Sequence, residues 1–202
     1  MQLFTRRRRI LLAAAIAFSV VMVGLFSFRA SQAAAPAIEF VPPSVTLTPD
    51  ARTATVDLRV TSAHDLGAYE IELAFDPNVV SIERVDRVVG TAEEPVPNRD
   101  WVSLPDPVTS GTSYTTLAPG VITFGGYSYG TNNPPGRDGD VTLARLHVRA
   151  VGNGSSALHL NRVEVTDTQA AAQSLTGPDA SVTVSDIFRR VFLPLLASQW
   201  TR

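Results

Sequence analysis

Residues 69–80 read Tyr69-Glu70-Ile71-Glu72-Leu73-Ala74-Phe75-Asp76-Pro77-Asn78-Val79-Val80. Tyr69, Ile71, Leu73 and Phe75 alternate with Glu70, Glu72 and Ala74, which is the period of a strand with one face buried and the other in water. Asp76-Pro77-Asn78 then supplies turn chemistry, because proline presets φ while Asp and Asn side chains hydrogen-bond their own backbone. A half-buried strand ended by a tight turn predicts a β fold around it.

Outward from this stretch the same period recurs. Ala54, Val56, Leu58 and Val60 oppose Thr55, Asp57 and Arg59, and Ala144, Leu146, Val148 and Ala150 oppose Arg145, His147 and Arg149. Shorter runs lie at 45–48, 79–88, 120–129, 157–165 and 180–184. Pro134-Pro135-Gly136, Asp138-Gly139 and Asn153-Gly154 read as turns between them, the last as a hairpin. No stretch between Ile38 and Val184 has a helical period. Roughly eight strands in about 145 residues predict an all-β fold, a two-sheet antiparallel β-sandwich of jelly-roll type, with a closed barrel as the alternative. Its expected core is Val56, Leu58, Ile71, Leu73, Phe75, Phe124, Leu146 and Val148. The connection from Gly90 to Pro119 holds five prolines, and reads either as a functional loop or as a wandering edge with one short strand near Tyr114 to Leu117.

The chain divides into residues 1–33 as a leader, 34–42 as a linker, 43–185 as the sandwich and 186–202 as an aliphatic, basic tail. Met1 to Arg9 end in four arginines, Ile10 to Phe28 run without a charge, and small residues follow Arg29. This is the pattern of a secretory signal peptide, with the cut expected after Ser31-Gln32-Ala33. An uncleaved anchor is the alternative, and the only route by which a membrane enters as a partner. The expected location is therefore secreted or cell-surface. The tail, with Pro194 among its aliphatic residues, is either a surface-association segment or a last strand.

Composition removes several functions. There is no Cys, so disulfides, thiolate metal sites and a cysteine nucleophile are excluded. All 17 basic residues are Arg, so lysine chemistry has no candidate. Without the leader, 12 basic residues face 19 acidic ones, a net charge of −7, which repels phosphate backbones and argues against nucleic acid.

The search for catalytic and metal chemistry leaves little. His147 and His159 sit at outward strand positions with no third ligand indicated, and His64 falls in a loop. Glu70 and Glu72 share a strand face about 7 Å apart by strand rise, which reads as a solvated face rather than a glycosidase pair. Glu93, Glu94, Asp100 and Asp106 in the long connection lack the apolar surroundings that would raise a carboxyl pKa. Asp138-Gly139-Asp140 has too few oxygens for Ca²⁺ and reads as a turn. No catalytic residue, metal or cofactor is expected. The aromatic residues are more informative. Tyr127 and Tyr129 lie two apart beside glycines, on the face opposite Ile122 and Phe124 if no bulge intervenes, where rings can stack on sugars; a bulge at Gly125-Gly126 is the alternative and would turn one ring inward. Trp101 is either a third platform or a plug over the end of the core.

Leu66-Gly67-Ala68-Tyr69-Glu70, Phe75-Asp76-Pro77-Asn78-Val79-Val80, Gly120-Val121-Ile122-Thr123-Phe124 and Gly139 to Leu146, in this order over residues 43–184, resemble the cohesin domain. Cohesins hold dockerin-bearing enzymes on cellulosome scaffolds, and related sandwiches occur among carbohydrate-binding modules. The resemblance implies a contact face on the outward residues of the third and central strands, rich in acids and amides. Glu70 falls at an acidic position of that face, Ala68 where an amide is common and Ser128 near a second acid. The expected ligand-binding residues are Glu70, Glu72, Tyr127, Tyr129 and Trp101, and the expected partner is a dockerin-like domain or a polysaccharide. A non-catalytic binding module leads, a structural spacer comes second and a small hydrolase third.

Overall fold

The structure is a computed structural model and describes residues 35–130 and 133–186. The leader and the tail beyond Asp186 lie outside the described residues. Eleven strands and one helical turn follow in chain order: β1 (Ala37–Val41), β2 (Ser44–Leu47), β3 (Thr53–Ala74), β4 (Val80–Arg87), β5 (Asp100–Leu104), α1 (Pro107–Ser110), β6 (Thr115–Ala118), β7 (Val121–Tyr129), β8 (Arg137–Ala150), β9 (Gly154–Asp167), β10 (Ala172–Gln173) and β11 (Ala180–Val184).

The 22-residue β3 organises the fold. Its first half pairs with β1 on one side and β8 on the other, and β4 continues that layer beyond β8. Its second half pairs with β7 and β9. β5 and β6 extend this second layer beyond β7, and β11 and β2 beyond β9. The two sheets of the expected sandwich are thus one hydrogen-bonded network carried from layer to layer by β3. β4 and β5 do not pair, so the sheet curls without closing into a barrel.

The transfer happens at Leu66, which has Arg137 of β8 on one register and Asp167 of β9 on the other. Ser62 and Asp65 have φ of 54° and 49°, Gly139 has φ of 87°, and the β3–β8 register shifts around them. These are bulges, which sharpen a strand's bend without ending it. Asp65 ties the bend together. Its carboxylate accepts from Thr168 Oγ1 at 2.6 Å and from the Gly136 N–H, while its own N–H donates to Asp138 Oδ1 at 2.7 Å.

One apolar cluster fills the space between the layers, with Leu58, Ile82 and Leu146 from the first and Ile71, Phe124 and Leu158 from the second. The expected core residues are buried, except Phe75, which is half-buried and packs at the margin as β3 enters its turn. The Asp76-Pro77-Asn78 turn forms as read. Asp76 Oδ1 accepts from the Asn78 N–H at 2.9 Å, and the Val79 N–H reaches Asp76 O at 3.1 Å.

Six expectations change in detail. Residues 34–42 are not simply a linker, because Ile38 and Phe40 of β1 are buried in the core opposite β3. The sheet is not wholly antiparallel, since β2 and β11 run parallel at its margin. His64 lies within β3 rather than a loop, and Asp138-Gly139 lies within β8 rather than a turn. Asn153-Gly154 is not a hairpin turn, because β8 and β9 belong to different layers and the chain crosses between them there. The 90–119 connection holds β5, α1 and β6, more structure than one short strand.

Candidate binding face

Pairing across the second layer decides which side chains share its outer surface. Ala68, Glu70 and Glu72 on β3 stand opposite Tyr127, Gly125 and Thr123 on β7 with no register shift. On the far side of β7, Tyr129, Tyr127 and Gly125 stand opposite Asp100, Val102 and Leu104 of β5. On the far side of β3, Glu70 and Glu72 meet Glu164 and Arg162 of β9. Because alternation is unbroken through Gly125-Gly126, both tyrosines point outward, with Tyr127 42% and Tyr129 53% exposed. Leu104 joins them at 49% exposed.

The face has two halves. Toward β9 it is charged: Arg162 pairs with Glu70 and lies 3.5 Å from Glu164, and Glu72 accepts from Asn161 Nδ2 at 2.9 Å. Toward β5 it is largely apolar, with Tyr127, Tyr129, Val102 and Leu104, and Asp100 stands at its end opposite Tyr129. Gly125 lies between the halves. A Cβ there would approach Tyr69 O to 2.4 Å, so no larger residue fits, and the gap contributes to a cleft of about 240 Å³ bounded also by Glu70, Leu104, Thr115 and Thr123.

Trp101 does not belong to this face. It is 7% exposed and stacks beside Tyr69, with ring centroids 6.2 Å apart and planes tilted by 36°. In β5 its side chain alternates inward while Val102 and Leu104 turn out. A Cβ on Gly90 would come within 2.2 Å of its ring, so it is covered from above. It is the plug, and its expectation as a third sugar platform is overturned. Ser128 is also unavailable: its hydroxyl donates to Gly67 O at 2.8 Å and accepts from Arg99 Nε at 2.9 Å. Burial pushes the Tyr69 phenol up, and its O–H donates to Leu143 O at 3.2 Å.

The remaining titratable groups are placed structurally. Arg145 makes a two-pronged contact with Asp57 at 2.7 and 2.9 Å and reaches Glu93 at 2.8 Å, which holds the long connection against β8 and raises the Arg145 pKa. Glu94 lies 3.7 Å from Arg137. Each histidine has its own carboxylate: His64 with Asp138, His147 with Asp86 and His159 with Asp179. Among the described residues no three metal-ligating side chains converge.

Sequence reasoning missed Val102 and Leu104. Apolar residues occupy both phases of Trp101-Val102-Ser103-Leu104, so alternation could not separate inside from outside there.

No family model matches the chain, and no curated protein matches it. Solved structures do. A non-cellulosomal cohesin from Archaeoglobus fulgidus is 18% identical, covers 76% of this chain and 93% of its own, and superposes with a TM-score of 0.53. A type II cohesin domain from the cellulosome of Acetivibrio cellulolyticus is 14% identical over 73% of this chain and 95% of its own, with a TM-score of 0.53. A chain of a type I cohesin–dockerin complex from Clostridium thermocellum is 13% identical over 74% and 93%, with a TM-score of 0.51. The fold is that of a cohesin-like β-sandwich.

Proposed function

We propose that this chain is a non-catalytic, exported binding module that receives a dockerin-type protein domain on the outer surface of β9, β3, β7 and β5. The observation that carries this reading is the joint exposure of Tyr127, Tyr129 and Leu104 beside Glu70 on one sheet face. Large rigid aromatics flanked by charge are what protein interfaces use as anchors, with the charges setting orientation and partner choice. The cohesin-like fold supports the choice of partner, since solved neighbours include cohesins in complex with dockerins. The apolar leader supports export, in keeping with a cell-surface or polysaccharide-degrading assembly. Against an enzyme stands the placement of the carboxylates: Glu70 is spent on Arg162, Glu72 on Asn161 and Glu93 on Arg145.

A second reading is polysaccharide binding on the same face, favoured by the unbroken outward phase of Tyr127 and Tyr129. The purified chain, offered a dockerin panel and insoluble polysaccharides, separates the two. Retention by a dockerin that Glu70→Arg abolishes supports the first. Retention on polysaccharide that survives Glu70→Arg but not Tyr127→Ala with Tyr129→Ala supports the second. No retention by either leaves the domain a spacer.

A further inference from the structure

A larger cavity lies beside the sheet face and shares Thr115 with the cleft there. It is a groove of about 840 Å³ between β4 and the segment running from the end of β5 through α1 to β6. Two side chains pin that segment to the free edge of β4: Ser113 Oγ accepts from the Val85 N–H at 2.8 Å, and the Tyr114 O–H donates to Ile82 O at 2.7 Å. The groove is therefore bounded by fixed walls.

Its chemistry is uneven. The β4 wall carries Glu83, Arg84, Asp86 and Arg87. Three of these are neutralised within the protein, Glu83 by Arg149 at 2.6 Å, and Arg84 and Asp86 by each other at 2.8 Å with His147 alongside. Arg87 is different. Its Nε donates to Ser103 Oγ at 3.2 Å and its Nη1 to Val89 O, both neutral acceptors, and Nη2 has no acceptor among the described residues. Its stem passes beside Gly126, where a Cβ would lie 3.4 Å from Arg87 Cδ. The facing wall is hydroxylic, with Ser103, Thr112, Ser113 and Thr116.

We infer that this groove is a second ligand site, beside the sheet face, and that it takes a short acidic saccharide. The Arg87 fork supplies donors for a carboxylate. Hydroxyls both donate and accept, so a hydroxyl wall complements a ligand that is itself covered in hydroxyls. The volume lies in the usual range for small-ligand sites, about 300–1,000 Å³, several times what a bare anion fills. A peptide would want apolar pockets for its side chains, and Val85, Pro107 and the Tyr114 ring are the only apolar side chains among the described residues that line the groove.

Calorimetry of the full chain with trigalacturonate, against neutral galactotriose, acetate and a hexaglutamate peptide, tests this. Trigalacturonate should bind, with galactotriose at least about tenfold weaker. Arg87→Gln keeps the stem and removes the charge, and should weaken binding about 10–100-fold, the worth of a charge-assisted hydrogen bond. Thr112→Val should weaken it about fivefold, the worth of one neutral hydrogen bond, and it carries the test should Arg87→Gln fail to fold. Tyr127→Ala with Tyr129→Ala should leave it unchanged, so failure here and failure of the sheet-face reading are distinguishable. Equal binding of the two trisaccharides would overturn the inference, as would full binding by a folded Arg87→Gln. Acetate binding as tightly as the trimer would make this a bare anion site, and tighter binding of the peptide a peptide site; either overturns the saccharide assignment.

Discussion

On the outer side of the β1–β3–β8–β4 layer the charges form a closed set. Glu39 binds Arg59, Arg145 bridges Asp57 and Glu93, Glu83 binds Arg149, and Asp86 takes both Arg84 and His147. Across β7 and β5 the outer side instead exposes rings and a leucine. Of the seven exposed large hydrophobics among the described residues, five fall between residues 104 and 129, namely Leu104, Val108, Leu117, Tyr127 and Tyr129. Single exposed apolar residues are ordinary on any protein, but a contiguous group marks a surface that something covers. Both faces stand on the same core and the same long strand, so the contrast comes from side-chain choice alone. One face is finished by its own partners and the other is left for an external one.

That contrast predicts separable phenotypes, and the shared core sets the upper limit. Leu73 is fully buried beneath the binding face, so Leu73→Ala should cost roughly 2–5 kcal/mol by urea unfolding. Glu72→Ala, one residue away and facing water, should stay within about 0.5 kcal/mol of the parent. Equal effects would mean that the inward and outward phases of β3 are misassigned. Next in size is the open face. Tyr127→Ala with Tyr129→Ala should lower affinity for the captured partner by about 30-fold or more, a hot-spot loss of about 2 kcal/mol, while the urea midpoint barely moves. Arg145→Met should do the reverse on the closed face. Losing both carboxylate partners should cost about 1–2 kcal/mol of stability, since the pair is partly buried and two-pronged, with affinity unchanged. A stability loss in the tyrosine variant, or a binding loss in the arginine variant, would erase the distinction between the faces.

How much of this was legible follows from the range of the signals. The β3 and β7 phases were readable because alternation is local, and with them the outward placement of Glu70, Glu72, Tyr127 and Tyr129. Asp76-Pro77-Asn78 was readable because its hydrogen bonds close within the turn itself. Asp138-Gly139 was misread for a related reason: a positive φ looks the same in sequence whether it reverses a strand or bulges one. Only pairing with β3 makes it a bulge. β1 was taken for a linker because five residues beside Pro42 and Pro43 carry a weak period, and what makes them a strand is the distant stretch from Asp57 to Thr61. Trp101 shows the same limit. Its burial depends on Tyr69 and Gly90, and nothing within Asp100 to Leu104 distinguishes a plug from a platform.

The smallest expected effect concerns the bend that separates the two faces. Asp65 sits where β3 changes layer, and its carboxyl is held below the ordinary carboxylate range, chiefly by the Thr168 hydroxyl and further by the Gly136 N–H, against the opposing effect of burial. A carboxyl whose folded pKa is depressed binds protons more weakly folded than unfolded, so its stabilisation is fully present above the unfolded value and lost as pH falls through the folded one. The unfolded value for Asp is about 3.9, which places the loss in the acid limb. Asp65→Asn keeps the size and tolerates the 49° φ, but it cannot titrate. At neutral pH the variant should be less stable by about 0.5–1 kcal/mol, the worth of one hydrogen bond. The gap from the parent should then shrink as urea midpoints are followed down the acid limb, below the ordinary carboxylate range, as the parent protonates. A gap that stays constant with pH would show that the bend is held by the geometry of the Asp65 side chain and not by its charge. A gap that closes would show that the charge of Asp65 contributes to the stability of the bend.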